Sequence, residues 1–284
     1  STKELVDAYH REVRALDRRS RTSVDATRGE FERLASEIAP DPAVMTREML
    51  APAVQLNGDD TVGSGTLLWS GKNPKTRKVE TYVITSYHVV RNIFADTPRA
   101  RQDGVSVTVY REGGNIEERA DMVAHDAKID AALLKLRSER LWPQTARILS
   151  REDAERVRVW DRIHAVGCPL GNDPIPTNGE ISSVHNVLNG ANYWMINAPT
   201  YFGNSGGGVY LAGDRALVGV FSKIYTHGRG NPVVVPHMGL CTPLPLIYEW
   251  LDKEKLSFVL DRAKRAKSPA VPRLGTGDLA SPPR

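Results

Sequence analysis

The chain has 284 residues, 40% of them hydrophobic, with 38 Lys and Arg against 34 Asp and Glu for a net charge of +4. Residues 251–284 hold eight of the basic and four of the acidic side chains, so the rest of the chain is balanced. That balance argues against nucleic-acid binding through a broad basic face, and no run of 18 apolar residues is present to span a membrane as a helix.

Residues 1–40 read as an amphipathic helical segment, one helix or two. Leu5, Tyr9, Val13, Leu16, Val24, Phe31, Leu34 and Ile38 recur in steps of threes and fours, while eight basic and eight acidic side chains suit a solvated face. Such a stripe either docks on the body of its own chain or joins subunits, by self-association or with a partner protein. Ser20, Thr27 and Gly29 interrupt it and favour docking, and Pro40 and Pro42 end it. No secretory leader is legible in the polar first residues, which leaves the compartment open between a cell envelope and the cytoplasm.

From about Val54 the pattern changes to short strand-like runs broken by turn signals such as Gly71-Lys72-Asn73-Pro74-Lys75 and Glu112-Gly113-Gly114-Asn115. Residues 53–137 form one group of strands. A connecting segment over about 138–156 carries Pro143 and mixed charge, with room for a helical turn. A second group runs from Val157 to Pro243, and a last helix starts near Pro245, using Leu246, Ile247, Trp250 and Leu251. Residues 264–284, with four prolines, read as a disordered basic tail. Cys168 and Cys241, the two cysteines, fit buried free thiols better than a bridge.

Three segments carry chemistry. Tyr201-Phe202-Gly203-Asn204-Ser205-Gly206-Gly207-Gly208 surrounds a serine with glycines that contribute nothing to burial, which suits a tight turn exposing the hydroxyl while backbone N–H groups converge. Val83-Ile84-Thr85-Ser86-Tyr87-His88-Val89-Val90 is an apolar run ending in a histidine and followed by a short apolar turn. Ile129-Asp130-Ala131-Ala132-Leu133-Leu134-Lys135-Leu136 sets one acid at the head of an apolar strand. A serine hydroxyl is a weak nucleophile, so it needs a base, and the base needs a carboxylate to fix its tautomer. The chain order is His88, Asp130, Ser205. Asp126 is the rival acid, but it follows His125 in a polar turn. The Gly-x-Ser-x-Gly pattern also fits α/β-hydrolases, whose serine precedes the acid and histidine and is followed by a helix. Here Val209–Val218 reads as a hairpin and the order is reversed. No metal or cofactor motif is present; Gly63-Ser64-Gly65 lacks the third glycine of a dinucleotide loop and reads as a strand-packing turn.

These segments, with Gly63-Ser64-Gly65-Thr66, Ala165-Val166-Gly167-Cys168-Pro169-Leu170-Gly171, Leu217-Val218-Gly219-Val220 and Gly239-Leu240-Cys241-Thr242-Pro243, resemble the trypsin-like serine proteases, most closely the bacterial HtrA/Deg branch. The resemblance spans about residues 53–250. It implies an all-β fold of two six-stranded antiparallel barrels, over 53–137 and 157–250, with an added N-terminal helical segment and a C-terminal helix. It also implies a serine endopeptidase acting on polypeptides through Ser205, His88 and Asp130, with an oxyanion hole from Gly203 and Ser205, Asn204 lying between them. The chain leaves no room after residue 250 for the PDZ domain usual in that branch, and Tyr87 replaces the small residue that usually precedes the histidine.

The specificity pocket implied is framed by Pro199, Thr200, Ser222, Lys223 and Ile224. Pro199 stands where trypsin has an aspartate, so cleavage after Lys or Arg is not expected, and Ile224 shortens the pocket in favour of small or aliphatic residues. Ser222 sits where the family places a hydroxyl beside the acid, or is an ordinary strand residue. Lys223 has no assigned role beyond a solvent-facing strand position. Three functions fit: an active endopeptidase, a protease-fold binding module with a latent or inactive site, or a structural partner using the N-terminal helix and basic tail.

Overall fold

The computed structural model describes residues 41–111, 113–228 and 233–260, together with Val24 and Thr27. The chain divides into two units, residues 1–44 and residues 45–284. In the first unit Val24 and Thr27 are helical and exposed. The rest of the N-terminal amphipathic stripe, and the tail at 264–284, lie outside the described residues.

Among its described residues the second unit has twelve strands, in two closed antiparallel barrels. The first contains β1 (Ala53–Asn57), β2 (Val62–Lys72), β3 (Val79–Thr85), β4 (Val105–Val109), β5 (Ile116–Asp126) and β6 (Ala131–Leu136), in the order β1-β2-β3-β6-β5-β4. The second contains β7 (Arg162–Gly167), β8 (Ile175–Leu188), β9 (Ala191–Ile196), β10 (Gly208–Leu211), β11 (Leu217–His227) and β12 (Val233–Pro243), in the order β7-β8-β9-β12-β11-β10. The two orders are the same pattern repeated. Closure leaves neither sheet an unpaired edge along its core.

Period-two alternation explains the continuous apolar runs. Leu67, Val83, Ala132 and Leu134 point into the first barrel with Val54, Leu56 and Val107. Their neighbours Leu68, Ile84, Ala131 and Leu133 point the other way, into the core shared with the second barrel's Ile163, Ile181, Tyr210, Val220 and Phe221. Strands β2, β3 and β6 are therefore buried on both faces, so Ala-Ala-Leu-Leu shows no polar alternation. Each fully buried aliphatic side chain contributes about 1.5–3 kcal/mol of burial free energy.

A helix over Leu244–Lys253 follows β12 directly, with Pro245 in its first turn, where a missing N–H costs nothing. It buries Leu244, Ile247, Trp250 and Leu251 against β11 and β12. The connecting segment contains one helical turn, Arg151–Ala154, capped by the Ser150 hydroxyl. Cys168 and Cys241 are free and buried, and burial pushes both thiols up to about 12.

Candidate active site

The pairing of β3 with β6 sets Thr85 opposite Ala132. In an antiparallel pair this puts the end of β3 beside the start of β6, so His88 and Asp130 emerge at the same end of the barrel. A helix, Tyr87–Asp96, rather than a short turn, starts there. Its first N–H groups have no helical acceptors, and Asp130 supplies them: Tyr87 N–H donates to the Asp130 carbonyl at 3.2 Å and His88 N–H to Oδ1 at 2.9 Å. Aiming both acceptors at one helix end requires Asp130 to sit at φ 54°, a left-handed conformation that aspartate tolerates better than most residues. Its neighbour is held too, since Thr242 Oγ1 donates to the Ile129 carbonyl at 2.6 Å.

The second carboxylate oxygen faces the cleft. Asp130 Oδ2 accepts from His88 Nδ1 at 2.7 Å, Ser222 Oγ at 2.5 Å and Lys223 Nζ at 3.3 Å. Burial pushes the Asp130 carboxyl up, but the His88 hydrogen bond and charge, the Lys223 charge and the Ser222 hydroxyl outweigh it and hold the group below the usual carboxylate range. An ionised carboxylate only accepts, so Nδ1 carries the ring proton, and Nε2 of a neutral His88 keeps its lone pair.

Ser205 approaches from the second barrel, three residues before β10. Its turn is fastened to the first barrel by Ser64 in β2: Ser64 N–H donates to the Ser205 carbonyl at 2.8 Å, and Ser64 Oγ donates to the Gly203 carbonyl at 2.6 Å while accepting from Cys168 N–H at 2.7 Å. Gly206 N–H donates to the Phe221 carbonyl at 2.7 Å. Two glycines are obligatory on steric grounds. Gly206 has φ +90°, and a Cβ there would collide with the Ser64 carbonyl oxygen and the Thr85 hydroxyl; Gly203 has φ +95°, and its Cβ would lie 2.5 Å from the Cys168 carbonyl oxygen.

Leu170 N–H holds the Phe202 carbonyl at 2.8 Å. Because N–H and C=O point oppositely across a trans peptide, the Gly203 N–H is turned the other way. Among the described residues, neither the Gly203 nor the Ser205 N–H has an intramolecular acceptor. The Ser205 hydroxyl donates to the Ser222 carbonyl at 3.2 Å.

His88, Asp130, Gly203 and Ser205 line one cleft of about 830 Å³, joined by Ser222, Lys223 and Ile224. Asn204 is buried behind the turn, with its N–H bonded to the Tyr201 carbonyl at 3.1 Å. Pro199 and Thr200 precede the turn and do not line the cleft. Tyr87 also lines the cleft and stacks on His125, with centroids 4.4 Å apart. Among the described residues no group of three His, Cys, Asp or Glu side chains gathers as a metal site would require.

Sequence reasoning missed two participants. Gly63-Ser64-Gly65 lies inside β2 rather than in a turn, and Ser64 ties the serine loop to the first barrel. Lys223 is not a solvent-facing position: its side chain folds onto the acid and lies over the Tyr193 ring, with Nζ 4.6 Å from the ring centroid. The one signal in the sequence was a lysine directly after the serine expected beside the acid.

Residues 63–220 match the model of the trypsin-like peptidase domain. The chain is 32% identical over 170 residues to the magnetosome formation protease MamE of Paramagnetospirillum magneticum, covering 54% of this chain and 21% of that protein. It is 32% identical over 154 residues to a probable periplasmic serine endoprotease, DegP-like, of Rhizobium meliloti, covering 53% of this chain and 27% of that one. The match thus spans only 21–27% of the length of these two relatives. Among solved structures, an HtrA-type protease, AlgW, with a tripeptide superposes with a TM-score of 0.58 at 22% identity, covering 77% of this chain and 64% of that one, a likeness of fold. With the family model matched over more than half its length, the chain belongs to the trypsin-like peptidase domain family.

Proposed function

We propose that the chain is a serine endopeptidase. Ser205 Oγ attacks the peptide carbonyl, His88 Nε2 takes its proton and returns it to the leaving amine, and Asp130 fixes the ring tautomer and stabilises the imidazolium. The acyl-enzyme is then released by water along the same proton route. The N–H groups of Gly203 and Ser205, free of acceptors among the described residues, bind the oxyanion; each such donor typically contributes about 2.7–4 kcal/mol to the transition state.

The observation that carries this reading is the oriented His88–Asp130 pair sharing one cleft with Ser205 and two unengaged N–H groups. Ile224 in the cleft wall supports a preference for small or aliphatic residues before the cleaved bond. Cleavage of unfolded casein by the intact chain, lost in Ser205→Ala, tests the proposal. No cleavage by a folded intact chain, or equal cleavage by the variant, contradicts it.

One observation favours a second reading, a protease-fold module with a latent site. The Ser205 hydroxyl donates to the Ser222 carbonyl, so its proton must turn from that carbonyl before His88 Nε2 can take it. Whether residues 1–40 govern that rotation is tested by deleting them: an unchanged monomer with unchanged activity removes a regulatory role for the segment.

A further inference from the structure

Lys223 Nζ reaches the groups that surround the Asp130 carboxylate. It donates to Asp130 Oδ2 at 3.3 Å, Ser222 Oγ at 3.0 Å and Tyr193 Oη at 3.3 Å. An ammonium only donates, so all three of these oxygens accept from it. The acceptors have their own protons placed elsewhere: Ser222 Oγ donates to Asp130 Oδ2, and Tyr193 Oη donates to the Lys128 carbonyl at 3.0 Å. The donor directions close without conflict, and Asp130 Oδ2 and Ser222 Oγ, themselves 2.5 Å apart, lie on the same side of the ammonium.

We infer that Lys223 is a positioning residue for the proposed hydrolysis: its charge offsets part of the Asp130 charge, limits how strongly the acid holds a proton on His88, and so extends activity to lower pH. The inference rests on the endopeptidase reading. His88 Nδ1 and Lys223 Nζ converge on one oxygen atom, so an imidazolium forms beside an existing cation.

The other charged and titratable groups around this pair leave that effect in place. Lys128 and Arg91 line the same cleft and add positive charge, Asp60 lies on the cleft wall, and His125 sits behind Tyr87. Tyr193 stays a neutral phenol, because burial and then the charges of Asp130 and Asp126 push it up. Two unit charges about 6 Å apart in water interact by about half a pH unit, and by more where solvent is partly excluded. The Lys223 side chain is 34% exposed, so half a unit is the lower bound expected.

The test is the rate at which a fluorophosphonate probe labels the intact chain between pH 5 and 9, which needs no knowledge of the natural substrate. In Lys223→Met the acidic limb of that rate moves up by about half a pH unit or more. Lys223→Arg returns the limb to its original position. Near-ultraviolet circular dichroism checks that each variant keeps the native packing. A limb that does not move in a folded Lys223→Met, or that Lys223→Arg fails to restore, overturns the inference while leaving the endopeptidase reading intact. No labelling of the intact chain at any pH overturns both.

Discussion

The two barrels bring their groups to the cleft by different means. In the first, His88 and Asp130 are fixed as side chains: register sets them at one end, the Asp130 carbonyl and carboxylate occupy the helix start, and Oδ2 takes three donors. In the second, the backbone around Ser205 is fixed, through Ser64, Phe221 and the glycines, while the hydroxyl itself has one bond, to a carbonyl. The His88–Asp130 pair is thus held by several bonds, and the Ser205 hydroxyl by one. The proposed hydrolysis, which makes and breaks a bond to Ser205 Oγ, would use both properties.

The comparison can be broken first at the serine turn. Gly206→Ala meets the Ser64 carbonyl oxygen and the Thr85 hydroxyl at a positive φ. It is expected to cost about 3 kcal/mol or more, from the positive φ and the clash together, and to abolish probe labelling; chemical denaturation and labelling measure both. A variant of unchanged stability shows that the turn is not wedged as described.

Next in size is the acid. Asp130→Asn keeps the shape but offers an amide that can donate to His88 Nδ1 and reverse the ring tautomer. A loss of about 10⁴-fold in kcat is expected, with a thermal midpoint close to the parent's. A tenfold loss or less contradicts the role assigned to the Asp130–His88 bond.

Ser222→Ala removes the 2.5 Å donor to Asp130 Oδ2 but leaves the His88 and Lys223 contacts. One charge-assisted hydrogen bond of about 1.5–3 kcal/mol is lost, so kcat/KM is expected to fall by about tenfold to a hundredfold with little change in KM. An equal rise in KM assigns Ser222 to substrate binding instead.

The smallest expected effect is the acid dependence of stability. Asp130 is held below its ordinary value in the folded chain, so its contribution is full above the unfolded carboxylate range and is lost as pH falls through the folded value. Stability measured by urea denaturation should therefore decline less steeply below about pH 4 in Asp130→Asn than in the parent. An identical decline assigns the acid sensitivity to other carboxylates.

Much of this site was legible in the sequence because its elements are local. A histidine at the end of one apolar strand, an acid at the head of another and a serine among glycines each mark a boundary where the period changes. The doubly buried strands were readable as strands because turn signals bound them. What stayed hidden depends on distant pairing. The residues after His88 read as a short apolar turn, because the acceptors that start their helix come from Asp130, 42 residues from His88. Lys223 read as part of the pocket frame with no role beyond a solvent-facing strand position, because nothing nearby in sequence reveals that β11 carries it to the acid and to Tyr193. Ser64 was hidden likewise, since its partners lie more than 100 residues downstream.

The claim on which the rest depends is that Ser205 becomes nucleophilic beside His88. Its most direct test is intact-mass analysis after treating the folded chain with diisopropyl fluorophosphate, followed by peptide mapping. One adduct per chain on Ser205, absent from His88→Ala, is the predicted result. A folded chain that gains no mass, or that carries the adduct on another residue, contradicts the account.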